Sequence, residues 1–108
     1  MKKSDKQKIE ELYSAILLIE SPSEARKFFR DLMTEKELIE MGNRWKAARM
    51  LSEKQLYTEI EKETGLSSRT VARVSKWLNN GMNGYKKIIK KSSKSNHHNS
   101  FPLGKELS

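Results

Sequence analysis

The chain has 108 residues, enough for one small domain with tails, and carries 22 basic against 14 acidic side chains, a formal net charge of +8. It contains no cysteine, which excludes disulfides, thiolate metal sites and a cysteine nucleophile. The longest apolar run, Ala15 to Ile19, is far shorter than a membrane span, and the first lysines are not followed by the apolar stretch of a signal peptide. These features predict a soluble, cytoplasmic protein without a membrane partner.

The excess positive charge lies in the last third of the chain. Residues 1–63 hold 13 basic and 13 acidic side chains, whereas residues 64–91 hold seven basic side chains and no acidic one. A basic segment without carboxylates favours a polyanionic partner, most often nucleic acid. A solvated basic face with no partner would have the same composition.

Apolar residues recur at three- and four-residue steps along the first half of the chain, which predicts helices. The first helix should span Lys3 to Glu20. The second should begin after Ser21, since Pro22 follows in the first turn and Glu24 stands at capping-box spacing. Its inward side chains should be Ala25, Phe28, Phe29 and Leu32.

Helical signals continue through the second half of the chain. A long third helix should follow the capping box that begins at Thr34, and the same spacing at Ser52 and Gln55 predicts a fourth helix over about 53–63 with Leu56 buried. A fifth helix is expected over about 68–79 and a sixth over about 83–91. No strand pattern competes, so the predicted fold class is all-α with about six helices in a domain of residues 1–91, followed by a flexible polar tail over 92–108.

The stretch from Leu56 to Leu78 is typical of a helix-turn-helix, because two short helices are joined by a turn that contains Gly65. The second helix begins with hydroxyl and guanidinium side chains, which suit phosphate oxygens and base edges. The sequence therefore predicts a protein that binds double-stranded DNA and, in the cytoplasm, associates with the nucleoid. The predicted DNA contacts are Ser67, Ser68, Arg69, Thr70, Ala72, Arg73 and Lys76, extended by Lys86 and Lys87 of the last helix.

The runs LMTEKELIEMGNRWKAARML and LYTEIEKETGLSSRTVARVSKWL resemble the Trp repressor family, in particular its shorter YerC/YecD-type branch. The resemblance covers about Tyr13 to Ile89. It implies an intertwined homodimer in which the first three helices of both chains build one core. It also implies two helix-turn-helix heads that read successive major grooves, about one DNA turn apart. The function implied is a sequence-specific transcriptional regulator, in the first instance a repressor.

The resemblance also implies a candidate site for a small effector, which in the family is tryptophan. The matching residues are Thr34, Arg44, Thr70 and Arg73. Trp77 stands where the family has a small serine, and Val74 stands where it has glycine, so these side chains could fill the pocket from inside. The alternatives are therefore a regulator gated by a small ligand near Arg44 and Arg73, and a regulator with no cofactor.

Two further classes of function bear on the same residues. A dimeric helical module that binds an acidic protein, with no DNA readout, would share this charge distribution. An enzyme is not indicated, because Glu59, Glu61 and Glu63 alternate and do not converge on one helix face. A metal site is not expected either, because the adjacent His97 and His98 lack a third ligand.

Overall fold

The structure, a computed structural model, describes residues 1–99, with side chains through residue 93. Over that range it contains six helices and no strand, which confirms the all-α fold class. None of these helices combines the length and apolarity needed to cross a lipid bilayer. The helices are α1 (Lys3–Ile16), α2 (Pro22–Leu32), α3 (Glu35–Ser52), α4 (Tyr57–Thr64), α5 (Ser68–Asn80) and α6 (Gly84–Asn99).

The chain divides into an N-terminal unit, Met1–Thr34, and a C-terminal unit that begins at Glu35. In the N-terminal unit α1 ends at Ile16, four residues before the predicted end. The last turn tightens, since Leu18 N–H donates to Ala15 O at 3.0 Å. The chain then becomes extended at Ser21, as expected for a residue before proline. The predicted cap of α2 is confirmed, because Ser21 Oγ accepts from Glu24 N–H at 3.1 Å.

The N-terminal unit buries none of its residues. Of the predicted inner face of α2, Ala25, Phe28 and Phe29 are half-buried, whereas Leu32 is exposed, so the prediction is wrong at Leu32. The rings of Phe28 and Phe29 meet edge to face with centroids 5.5 Å apart. Leu17 and Leu18 are 84% and 76% exposed. Two short helices are too small to enclose these side chains, so residues 1–34 form no hydrophobic core of their own.

The core lies in the C-terminal unit, where α5 packs against α3 and α4. Ile60, Val71 and Val74 are fully buried, and each contributes roughly 1.5–3 kcal/mol of transfer free energy. This core fixes one face of α5 and leaves the opposite face in solvent. The remaining core residues are Ala47, Ala48, Met50 and Leu66, with Leu51, Tyr85 and Ile89 packed at the edge.

The turn between α4 and α5 has the geometry that the sequence predicts. Gly65 adopts φ +73°, the left-handed conformation, and its N–H donates to Glu61 O at 2.8 Å. The buried Thr64 also holds this turn, since its hydroxyl donates to Ile60 O at 2.7 Å and accepts from Leu66 N–H at 3.2 Å. The turn is therefore fixed by backbone and side-chain hydrogen bonds together.

The predicted start of the fourth helix is wrong. Ser52 does not cap a new helix but is the last residue of α3, and its hydroxyl donates to Arg49 O at 2.7 Å. Lys54 then takes a left-handed φ of 64°, and α4 begins only at Tyr57, after a Leu56 that is exposed and not buried. Ser52 and Gln55 have the spacing of a capping box, but no helix begins there. The backbone N–H groups of Lys54 and Gln55 donate instead to carbonyls at the end of α3.

Helices α5 and α6 both end later in the chain than the sequence predicts. Helix α5 runs to Asn80, and Gly81 ends it where an added Cβ would collide with the carbonyl of Trp77. Helix α6 begins at Gly84 and continues to Asn99, eight residues past the predicted end. No glycine or proline interrupts residues 85–99, so nothing breaks that helix at Lys91. The rest of the predicted tail, residues 100–108, lies outside the described residues.

Candidate DNA-binding surface

The first turn of α5 is closed by hydroxyl groups. Ser67 is the N-cap: its Oγ accepts from Thr70 N–H at 3.2 Å and donates to Thr70 Oγ1 at 3.1 Å. No acidic residue occupies this first turn. The start of α5 therefore combines the positive end of a helix dipole with hydroxyl donors, an arrangement suited to a negatively charged group.

The outward face of α5 is basic. Arg69, Arg73 and Lys76 are exposed at spacings of four and three residues, on the side of the helix away from the buried Val71 and Val74. At 1.5 Å per residue, this row is about 10 Å long, a length that a major groove about 12 Å wide accommodates. Ser67, Ser68 and Ala72 are also exposed, and Thr70 is half-buried.

Helix α6 adds cations beside this face. Tyr85 and Ile89 pack at the edge of the core, and Lys86 and Lys87 between them are exposed. Helix α6 packs against α5, so both sets of cations belong to one unit. The predicted DNA contacts thus form an accessible surface without a carboxylate over residues 64–91.

Trp77 points to the other flank of α5. It is 45% exposed and lines an open apolar cleft of about 580 Å³ with Trp45, Met82, Tyr85 and Ile88. The Trp45 and Tyr85 rings stack with centroids 6.4 Å apart. Trp77 of α5 therefore lines one cleft together with aromatic side chains of α3 and α6. The side of α5 on which its ring lies was not predictable from the sequence.

The family model for the Trp repressor protein matches residues 7–93 of this chain. The chain belongs to the Trp repressor family. It is 37% identical over 81 residues to the uncharacterized protein YerC of Bacillus subtilis (strain 168). The aligned residues make up 75% of this chain and 78% of YerC.

Two solved structures related to the Trp repressor family have the same fold. A TrpR like protein from Eubacterium eligens is 36% identical, with a TM-score of 0.77 over 81% of this chain and 90% of that one. A proposed Trp repressor from Staphylococcus aureus is 31% identical, with a TM-score of 0.77 over 86% of this chain and 96% of that one. Membership of the Trp repressor family indicates a helix-turn-helix DNA-binding regulator, since this is a family of regulators rather than of enzymes.

The residues that match the effector site of Trp repressors are divided between the two units. Thr34 belongs to the N-terminal unit, while Arg44, Thr70 and Arg73 belong to the C-terminal unit. Arg44 Nη2 donates to Glu40 Oε2 at 3.1 Å, but its buried Nε has no acceptor among the described residues. Neither Arg44 nor Arg73 lines the Trp77 cleft. Effector binding at these four residues stays a prediction.

Two residues in the turns that flank α4 have roles that were not predictable from the sequence. Thr64 gave no signal beyond being a polar residue before a glycine, yet it is the buried hydroxyl that holds the helix-turn-helix turn. Lys54 falls within the predicted fourth helix, whereas its left-handed backbone makes it part of the turn between α3 and α4. Lys54 is followed by Gln55 and Leu56, and neither the lysine nor these neighbours are residue types that predict a left-handed backbone.

Proposed function

We propose that this chain is a homodimeric, sequence-specific DNA-binding protein that regulates transcription, in the first instance as a repressor. The observation that carries the proposal is the outward face of α5, where Arg69, Arg73 and Lys76 are exposed while the opposite face is buried. Membership of the Trp repressor family supports the same conclusion.

The proposed contacts follow from the exposure of each side chain. Helix α5 enters the major groove, with Ser68, Arg69 and Ala72 nearest the base edges. Arg73 and Lys76 contact the DNA backbone. The hydroxyls at the start of α5 and the α6 cations, namely Ser67, Thr70, Lys86 and Lys87, extend the phosphate contacts. Repression would be steric, because a protein bound across a promoter excludes polymerase.

The homodimer is proposed because the N-terminal unit lacks a core. Leu17 and Leu18 are largely exposed, and the aromatic side chains of α2 are only half-buried. A chain this small gains stability when a second copy covers such apolar surface. Two copies would also present two α5 helices to successive major grooves, which doubles the number of base pairs that are read.

Selection of genomic DNA fragments by the purified protein, at two salt concentrations, tests the proposed function. We expect a sequence-related subset of fragments to be enriched, with binding that weakens steeply as salt rises because phosphate contacts release counterions. Retention of random fragments alone, or no retention, would instead favour a module that binds an acidic protein.

A second candidate is an effector-gated form of the same regulator. It is favoured by the buried Arg44 Nε, since a buried donor without an acceptor is rare and a ligand carboxylate would satisfy it. Calorimetric titration with the natural amino acids tests this candidate. Heat from one amino acid that disappears in Arg44→Ala would support gating, and no heat from any of them would leave an effector-independent regulator.

A further inference from the structure

A third surface feature of the C-terminal unit lies where three helices meet the turn between α3 and α4. It is a cleft of about 440 Å³, here called the turn cleft, whose lining includes no carboxylate side chain. Its polar lining comes from five segments of the chain, including Ser52 of α3 and Gln55 of the turn. The other polar lining residues are the ones that could contact an anion from the opposite sides of the cleft. These residues are Lys54 of the turn, Tyr57 of α4, Ser75 and Asn79 of α5, and Lys86 of α6.

The turn that carries Lys54 is rigidly hydrogen-bonded. Lys54 has a φ of 64°, its N–H donates to Leu51 O at 3.0 Å, and Gln55 N–H donates to Met50 O at 3.1 Å. A non-glycine residue in the left-handed region carries a conformational cost, so this backbone is held by its hydrogen bonds to α3. The base of the Lys54 side chain is therefore fixed at the rim of the cleft.

The two ammonium groups of the turn cleft, those of Lys54 and Lys86, form no ion pair within the described residues. The ion pairs of that region join Arg44 to Glu40 and Lys46 to Glu63, and neither Lys54 nor Lys86 takes part in one. No carboxylate lines the cleft itself, and the nearest one in the chain, that of Glu53, accepts from Gln55 Nε2 at 3.0 Å. Two cations from separate segments that line one cleft repel each other. An anion between them would remove that repulsion.

The cleft borders the outward face of α5. Asn79 lies two turns after Ala72 on nearly the same side of the helix, and its amide donates to Ser75 O at 2.9 Å. A phosphate at this place would thus lie beside the C-terminal half of α5, about 15 Å along the helix from Arg69. That position suits a backbone phosphate at the edge of the proposed contact surface.

We propose that the turn cleft is a seat for one phosphate diester of duplex DNA, contacted by Lys54, Lys86 and the Tyr57 hydroxyl. This inference rests on the proposed function and deepens it, because it assigns a backbone contact to a turn outside the helix-turn-helix itself. Such a contact fixes the orientation of α5 on the duplex and carries no sequence information of its own.

The salt dependence of DNA affinity tests the seat with the full chain. The first variant is Lys54→Gly, which removes the ammonium group and relieves the left-handed backbone, so the fold is retained. The second is Lys86→Gln. The control is Lys36→Gln, at an exposed lysine in the first turn of α3. The probe is a duplex enriched by the unchanged protein, titrated by fluorescence anisotropy over a series of salt concentrations.

We expect each seat variant to flatten the plot of log affinity against log salt by about 0.9 for every cleft that engages a phosphate. The preference for the selected duplex over a scrambled one should be unchanged, and Lys36→Gln should match the unchanged protein. Unaltered slopes in both seat variants, with DNA binding intact, would overturn the seat alone. Failure of the unchanged protein to bind any duplex would overturn the proposed function and the seat together. Binding of inorganic phosphate that is abolished in Lys54→Gly, without a change in the DNA slope, would assign the cleft to free phosphate and contradict the proposal.

Discussion

At the scale of single residues, Thr64 is the polar group on which the helix-turn-helix turn depends. It is the buried polar residue of the C-terminal core, and one hydroxyl serves both Ile60 O and Leu66 N–H. A buried N–H without an acceptor lowers the free energy of unfolding by more than an average hydrogen bond adds to it. Loss of the Thr64 hydroxyl should therefore destabilise the turn by more than the loss of one ordinary hydrogen bond.

Thr64→Val should therefore destabilise the protein by about 1–3 kcal/mol, because the valine keeps the volume but leaves Leu66 N–H without its acceptor. Urea unfolding followed by circular dichroism measures this destabilisation. Thr64→Ser retains the hydroxyl and should be less destabilised. Equal stability of the valine variant and the unchanged protein would show that the hydroxyl has no role in the turn.

Arg69 is the residue proposed to read a base. Arg69→Ala should weaken binding to the selected duplex by about 1–3 kcal/mol and relax base choice at one position, because alanine cannot form the bidentate hydrogen bonds to guanine. Arg30→Ala, which removes an exposed guanidinium from α2, serves as the control in the same anisotropy titration. An unchanged preference in Arg69→Ala would contradict the assignment of base reading to Arg69.

Lys87 is proposed to contact phosphate only. Lys87→Ala should weaken the binding of selected and scrambled duplexes by the same factor, and the salt slope should fall by about 1 for each phosphate that the lysine neutralises. Comparing the two duplexes over a salt series measures both effects. Weaker binding of the selected duplex alone would show that Lys87 takes part in sequence readout.

At the scale of structural elements, the turn between α4 and α5 sets the angle at which α5 is presented. Gly65→Ala should cost roughly 1–2 kcal/mol, because an alanine is strained at φ +73° although nothing crowds its Cβ. Gly65→Asn should recover most of that stability, since asparagine tolerates this conformation. Thermal unfolding of the two variants checks the prediction, and equal midpoints for alanine and glycine would contradict it.

Elements with strong local signals were predictable from the sequence. The Ser21 cap and the Gly65 turn each act through bonds to residues no more than four positions away. For α5 the sequence offered Ser67 or Ser68 as the cap, and the structure has Ser67. The exposed residues of α5 followed from the same local reasoning, since the spacing of Val71 and Val74 defines the buried face and hence the outward one.

Elements whose structure depends on distant parts of the molecule were not predictable. The Trp77 side chain lines a cleft together with Trp45 and Tyr85, which belong to other helices, and a local pattern does not reveal such a neighbourhood. Ser52 is a different case, because its cap-like spacing competes with equally local hydrogen bonds to the end of α3, and the sequence pattern does not show which of the two forms.

At the scale of the whole molecule, the proposed dimer would set the arrangement of the two proposed reading helices. Replacing both Leu17 and Leu18 with glutamate should shift the protein towards monomer, because charges would replace apolar side chains at the proposed interface. Sedimentation velocity over a concentration series measures the shift. Ser14→Glu, at an exposed polar position of α1, is the control. A monomeric unchanged protein would contradict the proposed dimer.

The central claim is that α5 presents its outward face to duplex DNA. The most direct measurement is a nuclear magnetic resonance titration of the labelled protein with a duplex enriched from genomic fragments. We expect the largest amide shift changes on residues 67–76, with smaller ones at Lys86 and Lys87. Shift changes confined to the N-terminal unit or to the Trp77 cleft, with α5 unaffected, would contradict the claim.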